Sequence, residues 1–368
     1  MDFSKYSEKL AALAAMSNRY GADPAYVLAG GGNTSFKSAE NLWIKGSGTA
    51  LATIRAEDFV VMDRNALAQM WDKAYPEEEA QRESAVLEDM MAARIPGESR
   101  RPSVETLLHD LFPQQYVLHV HPALVNGLTC SKGGEAAMKA LLPDAVWVDA
   151  CKPGYILALE CKKVMDACKA ETGRDVQLLF LENHGIFFGA DTVEEVDALA
   201  ARVMDTLAAQ IRKEPDLTEA AEDENRVTAL AALLKELYGG ESVLFCANAM
   251  IGAYDPATES LSPDHIVYAK AKQLALPCDW DEAGVRQLFG EFEAANGYKP
   301  RIVFWKSGMF ACGNTEKEAA TAQVVMLDAI KVTAYAESFG GVSPMPAFLI
   351  DFIVNWEVER YRSNVSLK

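Results

Sequence analysis

An α/β fold with a mostly antiparallel sheet is the class this sequence predicts, on three observations. Short runs rich in apolar and β-branched residues follow one another closely between 27 and 63, a hairpin-like spacing that argues against a doubly wound parallel sheet. Later apolar runs alternate with segments of helical periodicity. Of the 368 residues, 50% are hydrophobic and 24% charged, the balance of a folded chain with material for a sizeable core.

The elements follow in order. Residues 5–20 have an amphipathic helical pattern with acidic and basic side chains interspersed; the segment lacks the basic n-region and unbroken apolar core of a signal peptide. "YVLAGGGNTSFK" (26–37) is an apolar run leading into three glycines, read as a strand followed by a turn. "NLWIKGSG" (41–48) and "DFVVMD" (58–63) are further strands. Helical spacing occupies 75–94, and Pro102 and Ser103 open a helix through "ETLLHDLF". "QYVLHVHP" (115–122) alternates apolar residues with histidines and reads as a strand. "AVWVDA" (145–150) and "VQLLFLEN" (176–183) are strands around a helix at 157–173, and 192–213 is a long helix.

The most acidic stretch, "EPDLTEAAEDENR" (214–226), is the expected linker between 1–213 and 227–368. Beyond it the chain partly repeats itself. Residues 181–195 align without gaps on 304–318, matching Gly185 to Gly308, Phe187 to Phe310, Thr192 to Thr315 and Glu195 to Glu318. His184 then falls on Ser307. The C-terminal region is expected to be a degenerate half that keeps a strand-turn-helix scaffold and lacks a ligand.

A net charge of −18 argues against nucleic-acid binding, which needs clustered Lys and Arg. It leaves room for a small phosphorylated ligand held by backbone N–H groups and a cation or two. No stretch approaches a membrane span. The seven cysteines are scattered without a CxxC pair, as in a cytoplasmic protein with reduced thiols.

Three of the five histidines lie within 103–122. Residues i and i+2 of a strand share a face, so His119 and His121 project together, as two nitrogen ligands of one metal must; two hydrogen-bonded structural histidines would have the same spacing. His184, between Asn183 and Gly185 at a strand end, is the natural third ligand or else an isolated histidine. Three histidines suit a catalytic zinc, because the fourth position stays open. Glu105, at a helix start just before this strand, is either a general base for a C–H beside a polarised carbonyl or a carboxylate complementing the helix dipole. His109, one turn on, reads as a supporting residue, and His265 as structural. "GGGNTS" (30–35) and "KGSG" (45–48) allow backbone N–H groups to converge on a phosphate, with Lys45 as counter-charge; ordinary tight turns have similar composition. Tyr268 and Lys272 form a YxxxK pair with no dinucleotide fingerprint before it, and read as a helix face.

In order, "GGGNTS", "KGSG", "PSVET", "HVHP" and "NHG" resemble the class II aldolase/adducin family over roughly residues 8–212. The spellings "GGGNTSFK", "IKGSG" and "PSVETLLH" are most similar to the aldolase part of rhamnulose-phosphate aldolase/short-chain dehydrogenase fusion proteins, whose end 240–368 also resembles. The resemblance implies a three-layer α/β/α fold with a mostly antiparallel central sheet. It makes His119, His121 and His184 the ligands of zinc or another divalent transition metal such as manganese or cobalt, and Glu105 the catalytic acid/base. Gly32, Asn33, Ser47, Gly48 and Ser103 would bind phosphate. Val104 and Gly30 stand where sugar-phosphate aldolases carry a second serine and a threonine, which removes two phosphate donors. The family's late catalytic tyrosine has no firm counterpart, although Tyr361 is near the C-terminus. The implied function is reversible retro-aldol cleavage of a ketose, in the main reading a ketose 1-phosphate, to dihydroxyacetone phosphate or a similar ketone plus an aldehyde, through a metal-stabilised enediolate. A sugar-phosphate 4-epimerase or decarboxylase, or a non-catalytic adducin-like module, are the alternatives. The implied assembly is a homo-oligomer.

Overall fold

The structure is a computed structural model that describes residues 4–356. The chain divides into two compact units, one built from the residues up to 125 with 135–209, the other from 126–134 with the residues from 210 on.

The first unit centres on a seven-stranded sheet. Its elements are α1 (Ser7–Ala22), β1 (Asn33–Lys37), β2 (Asn41–Ile44), β3 (Val60–Asp63), α2 (Arg64–Met70), α3 (Glu79–Ala92), α4 (Thr106–Leu111), β4 (Tyr116–Val120), α6 (Gly134–Leu141), β5 (Val146–Val148), α7 (Tyr155–Thr172), β6 (Leu178–Leu181), β7 (Gly185–Ala190) and α8 (Val193–Ala208), while α5 (Ala123–Thr129) begins in this unit and ends in the second. The strand order is β3-β2-β1-β4-β7-β6-β5. Only the β5–β6 pair is parallel, so the sheet is largely antiparallel. Helices cover both faces: α1 and α8 lie on one side, α4 and α7 on the other, which completes three layers. Alternation along β4 shows how the strand serves both. Val117 joins Leu108, Leu157, Leu179 and Phe187 in the core beneath α4 and α7, whereas the Tyr116 hydroxyl donates to the Lys9 carbonyl of α1 at 3.3 Å. His119 has the parity of Val117, so it faces the α4 side.

One predicted element is displaced. The residues before the glycines form turns rather than a strand, and β1 begins after them, at Asn33. Positive φ values at Ala29 (51°) and Gly32 (74°) break the extended conformation there.

The second unit contains α9 (Glu224–Tyr238), β8 (Ser242–Ala247), α10 (Ala249–Ala253), α11 (Pro263–Ala269), β9 (Leu274–Ala275), α12 (Glu282–Asn296), β10 (Ile302–Trp305), β11 (Gly308–Gly313), α13 (Glu316–Ala336) and α14 (Ala347–Asn355). Its sheet runs β8-β11-β10-β9, antiparallel, antiparallel, then parallel. The stretch β4-β7-β6-β5 of the first sheet has the same order and the same three senses. The expected repeat is therefore larger than one strand-turn-helix. His119 pairs with Phe187 across β4 and β7, and Phe245 pairs with Phe310 across β8 and β11; β8 thus repeats β4 with Phe245 in the place of His119 and Ala247 in that of His121. Nothing in the second unit repeats β1 to β3 among the described residues.

The acidic segment 214–226 is docked within the second unit. Thr218 and Asp216 accept backbone bonds from Ala249 and Met250, and the Glu222 carboxylate accepts from the Ser307 N–H. Tyr268 and Lys272 do not share a helix face, because α11 ends at Ala269 with Lys270 at φ 71°. Lys272 lies beyond it and pairs with Glu259.

Candidate metal centre

Three antiparallel strands position the centre. In register, Asn33 of β1 lies opposite His119 of β4, which lies opposite Phe187 of β7. His184 occupies the β6–β7 turn, where Leu181 pairs with Gly185 and Asn183 takes the left-handed conformation (φ 55°). That turn brings its imidazole back over the end of β4. Gly185 is required at this approach: a Cβ would stand 2.6 Å from both the His121 ring and the Val120 carbonyl.

Among the described residues, His119, His121 and His184 gather so that one nitrogen from each ring lies within 4.8 Å of the others. His119 is fully buried and stacks on Phe187 at a centroid distance of 3.9 Å. Its Nδ1 is 2.9 Å from the Ile186 carbonyl oxygen. A carbonyl only accepts, so Nδ1 carries the proton and Nε2 presents its lone pair. That Nε2 is 2.9 Å from the His121 Nε2 and 3.2 Å from a Glu105 carboxylate oxygen, which is also 3.7 Å from the His184 Nε2. Ring nitrogens and a carboxylate oxygen this close need a proton or a cation between them. The donor set, three imidazoles with the first oriented by a backbone carbonyl, fits a divalent transition metal.

Glu105 precedes α4 as its N-cap residue. The Asn33 side-chain amide donates to its other carboxylate oxygen at 3.0 Å and also to the Ser103 hydroxyl, which accepts from the Glu105 N–H at 3.1 Å. Burial pushes the Glu105 carboxyl up, but the His119 and His184 rings facing it and the hydrogen bond from Asn33 outweigh it. The group is held well below the usual carboxylate range. His109 is fully buried, with Nδ1 2.8 Å from the Ser35 hydroxyl and its ring edge against Phe187. Burial pushes its pKa well below the usual imidazole value, so it stays neutral as a packing and hydrogen-bonding support.

The two glycine-containing loops meet the centre from the β1 side. Gly32 (φ 74°) has Leu51, the His119 carbonyl and Val27 within 3.0–3.2 Å of where a Cβ would be. The 45–48 turn is joined to the segment before Ser103 by the Gly46–Pro102 bridge and by the Ser47 N–H donating to the Arg101 carbonyl at 2.9 Å. Asn33, Ser103 and Glu105 are thus linked directly, and the 45–48 turn adjoins the segment that leads into Ser103. The Lys45 ammonium donates to the Gly32 carbonyl at 3.0 Å and the Gly30 carbonyl at 3.4 Å, so it ties the loop together. Sequence reading missed the Ile186 carbonyl and the Phe187 platform; Phe187 carried a signal as one of the residues repeated in the second half. His265 is in the second unit, 3.2 Å from Asp328, apart from the centre. Tyr361 is outside the described residues.

The family model described as the Class II Aldolase and Adducin N-terminal domain matches residues 11–211, more than half of the chain. This chain belongs to that family. A curated protein of Bacillus subtilis (strain 168), the uncharacterized oxidoreductase YuxG, is 29% identical over 189 residues, which is 48% of this chain and 26% of that protein. The chain thus spans about a quarter of that relative's length. Among solved structures, the N-terminal class II aldolase domain of a conserved protein from Thermoplasma acidophilum is 27% identical, with 55% of this chain and 92% of that one covered and a TM-score of 0.47. An L-fuculose 1-phosphate aldolase is 18% identical, with coverages of 64% and 98% and a TM-score of 0.39. Class II aldolases generally depend on a divalent metal, in keeping with the histidine cluster. Among the described residues no helix is long and apolar enough to cross a membrane.

Proposed function

We propose that this chain is a metal-dependent aldehyde-lyase of carbohydrate metabolism. It would cleave a ketose, in the main form a ketose 1-phosphate, reversibly to dihydroxyacetone phosphate or a similar ketone and an aldehyde. The observation that carries this reading is the largely enclosed Glu105 carboxylate, one oxygen facing the His119 and His184 rings of the histidine cluster and the other held by the Asn33 amide.

Zinc, manganese or cobalt held by His119, His121 and His184 would polarise the carbonyl and adjacent hydroxyl oxygens of the substrate. Glu105 moves the proton. In the synthetic direction a carboxylate oxygen takes a proton from the hydroxymethyl carbon of the ketone and gives one up to the alkoxide left where the aldehyde is attacked; in cleavage it takes the proton of that hydroxyl as the C–C bond breaks and delivers one to the ketone carbon. Asn33 donates to the other oxygen, which keeps the carboxylate turned toward the substrate. The N–H groups of the Gly32 and Gly48 turns, with the Ser47 and Ser103 hydroxyls, are the proposed anchor for a phosphate. In this reading residues 1–213 carry the catalysis and 227–368 form a degenerate half without chemistry of its own.

The test needs only the ketone. Zinc- or manganese-loaded protein is incubated with dihydroxyacetone phosphate in D2O, and proton NMR follows exchange at the hydroxymethyl carbon. Stereospecific loss of one C–H signal is expected, slowed about 10²–10⁴-fold in Glu105→Gln with metal content and fold intact. A fully active Glu105→Gln would remove Glu105 from catalysis. No exchange in metal-loaded wild type would favour an epimerase or decarboxylase on the same histidines.

A further inference from the structure

The repeat within the sheets exposes an edge. In the first unit, β4 is bonded on one side by β7 and on the other by β1, with Ser35 opposite Val117 and Asn33 opposite His119. The Lys37 N–H donates to the Gln115 carbonyl at 2.8 Å, so odd-numbered residues of this stretch turn their backbone groups toward β1. In the second unit β8 repeats β4, β11 repeats β7, and no described strand repeats β1. The Asn248 N–H donates to the Ser307 carbonyl at 3.1 Å, which places the even residues of β8 on the β11 side. Val243 and Phe245 therefore direct their N–H and C=O groups outward, at the positions that repeat Val117 and His119. The end of this edge is closed, because the Ala247 carbonyl accepts from Ala220 at 3.3 Å. The remainder, Ser242–Cys246, takes no strand from the described residues.

The side chains match the backbone. Every residue of β8 is only half-buried, whereas β4 is buried throughout. Val243 and Phe245 lie on one face, at the margin of the core formed by Leu230, Leu234, Phe289 and Phe310. An apolar strand with a free edge is what another strand pairs with.

We propose that this edge pairs with the same edge of a second copy of the chain, antiparallel about a two-fold axis at Leu244. The strand is self-complementary in that register. Val243 would face Phe245 of the other copy as a hydrogen-bonded pair on both sides of the axis, so each of the four outward groups on each strand finds a partner. Val and Phe side chains meet across the strands, a favourable pair that closes the margin of both cores. The pairing spans Ser242–Cys246 of each copy and stops short of Ala247, whose outward side Ala220 already occupies. Joining the edges would turn two four-stranded sheets into one continuous sheet of eight.

The proposal does not depend on the aldolase reading, and its test reads association rather than turnover. In this register Leu244 meets Leu244 as a non-hydrogen-bonded pair with Cα atoms about 4.5 Å apart, inside the range a disulfide spans. Full-length Leu244→Cys under mild oxidation is expected to give a covalent dimer on a non-reducing gel. Val243→Cys, which would face Phe245, is expected to give no more than wild type. Val243→Pro removes an outward N–H without touching the β8–β11 ladder, and should weaken self-association in sedimentation velocity at least about tenfold, through two lost hydrogen bonds per dimer. Leu244→Cys that remains uncrosslinked, or crosslinks no better than Val243→Cys, would overturn the pairing. So would a folded Val243→Pro that associates as strongly as wild type; either outcome leaves the edge to a different strand or to water.

Discussion

The strands β4-β7-β6-β5 and β8-β11-β10-β9 are the same half-sheet used twice, and only the first carries the histidine cluster. Both hairpins turn through a left-handed residue, Asn183 or Lys306. Both lead into a helix capped by a threonine whose hydroxyl accepts from a glutamate N–H three residues on. They differ in the turn. Leu181 pairs with Gly185 across three residues, whereas Trp305 pairs with Gly308 across two. The longer turn carries His184 over β4, and the shorter one holds Ser307 against Glu222. Phenylalanine and alanine replace the other two ligands. The scaffold thus tolerates the histidine cluster without requiring it, and the two halves differ in three side chains, one residue of turn length and the strand β1 that brings Asn33.

The largest expected difference is in metal content. His119→Ala should reduce bound zinc or manganese from about one ion per chain to near none, measured by elemental analysis after dialysis. Phe245→Ala, at the repeated position, should leave the metal content at wild-type level while lowering thermal stability. Equal metal loss in both variants would contradict the assignment of ligands to one half.

The matched glycines give the next contrast. At Gly185 a new methyl group meets a ligand imidazole, and at Gly308 it meets the Phe245 ring. Gly185→Ala should therefore weaken metal affinity as well as stability, whereas Gly308→Ala should cost about 1–3 kcal/mol of stability at unchanged affinity. Metal titrations beside urea unfolding separate the two effects.

Lys37 belongs to β1, which the second half lacks. It is buried, its ammonium donating to the Phe112 and Gln114 carbonyls. Burial brings its pKa down to about 7, partly countered by Asp110 and opposed again by Arg64. An unfolded lysine still holds its proton near pH 9 while the folded one does not, so this group makes stability rise with pH between about 7 and the normal lysine value. Lys37→Met should flatten that part of the stability–pH curve and gain most at or below pH 7. A curve with the wild-type slope would show that Lys37 does not titrate in this window.

The smallest expected effects are the caps. Thr192→Ala and Thr315→Ala should each cost about 1 kcal/mol, because the same bond is lost at each site. A much larger cost at Thr315 would mean that Glu318, which also pairs with Arg301, depends on the cap for its position.

How much of this was legible in the sequence depended on whether the signal was periodic. His119 and His121 were readable as one face because strand side chains alternate, and the β6-turn-β7-α8 unit was readable twice because it repeats. The ligand His184 could be placed at a strand end from the apolar run before it. The start of β1 was misplaced, because the residues before the glycines are apolar enough for a strand and only the left-handed residues at 29 and 32 deny it. Lys45 was expected to face a ligand. Nothing in its neighbours foretold that the Gly30 and Gly32 carbonyls would accept from it. The Ile186 carbonyl that sets the His119 tautomer had no sequence signal at all, since any residue supplies one.

The register that joins Asn33 to His119 and His119 to Phe187 also constrains the order of assembly. Asn33, Glu105, the His119–His121 pair and His184 come from four separated places along about 150 residues of chain, brought together by β1, β4 and β7. A nascent or partly unfolded chain holds only the His119–His121 pair close in space, which is too few ligands for firm binding. Metal affinity therefore arrives late, after the long-range strand pairings have closed. On the proposed metal site, an ion could not template the fold during synthesis; the completed sheet would have to form before it binds.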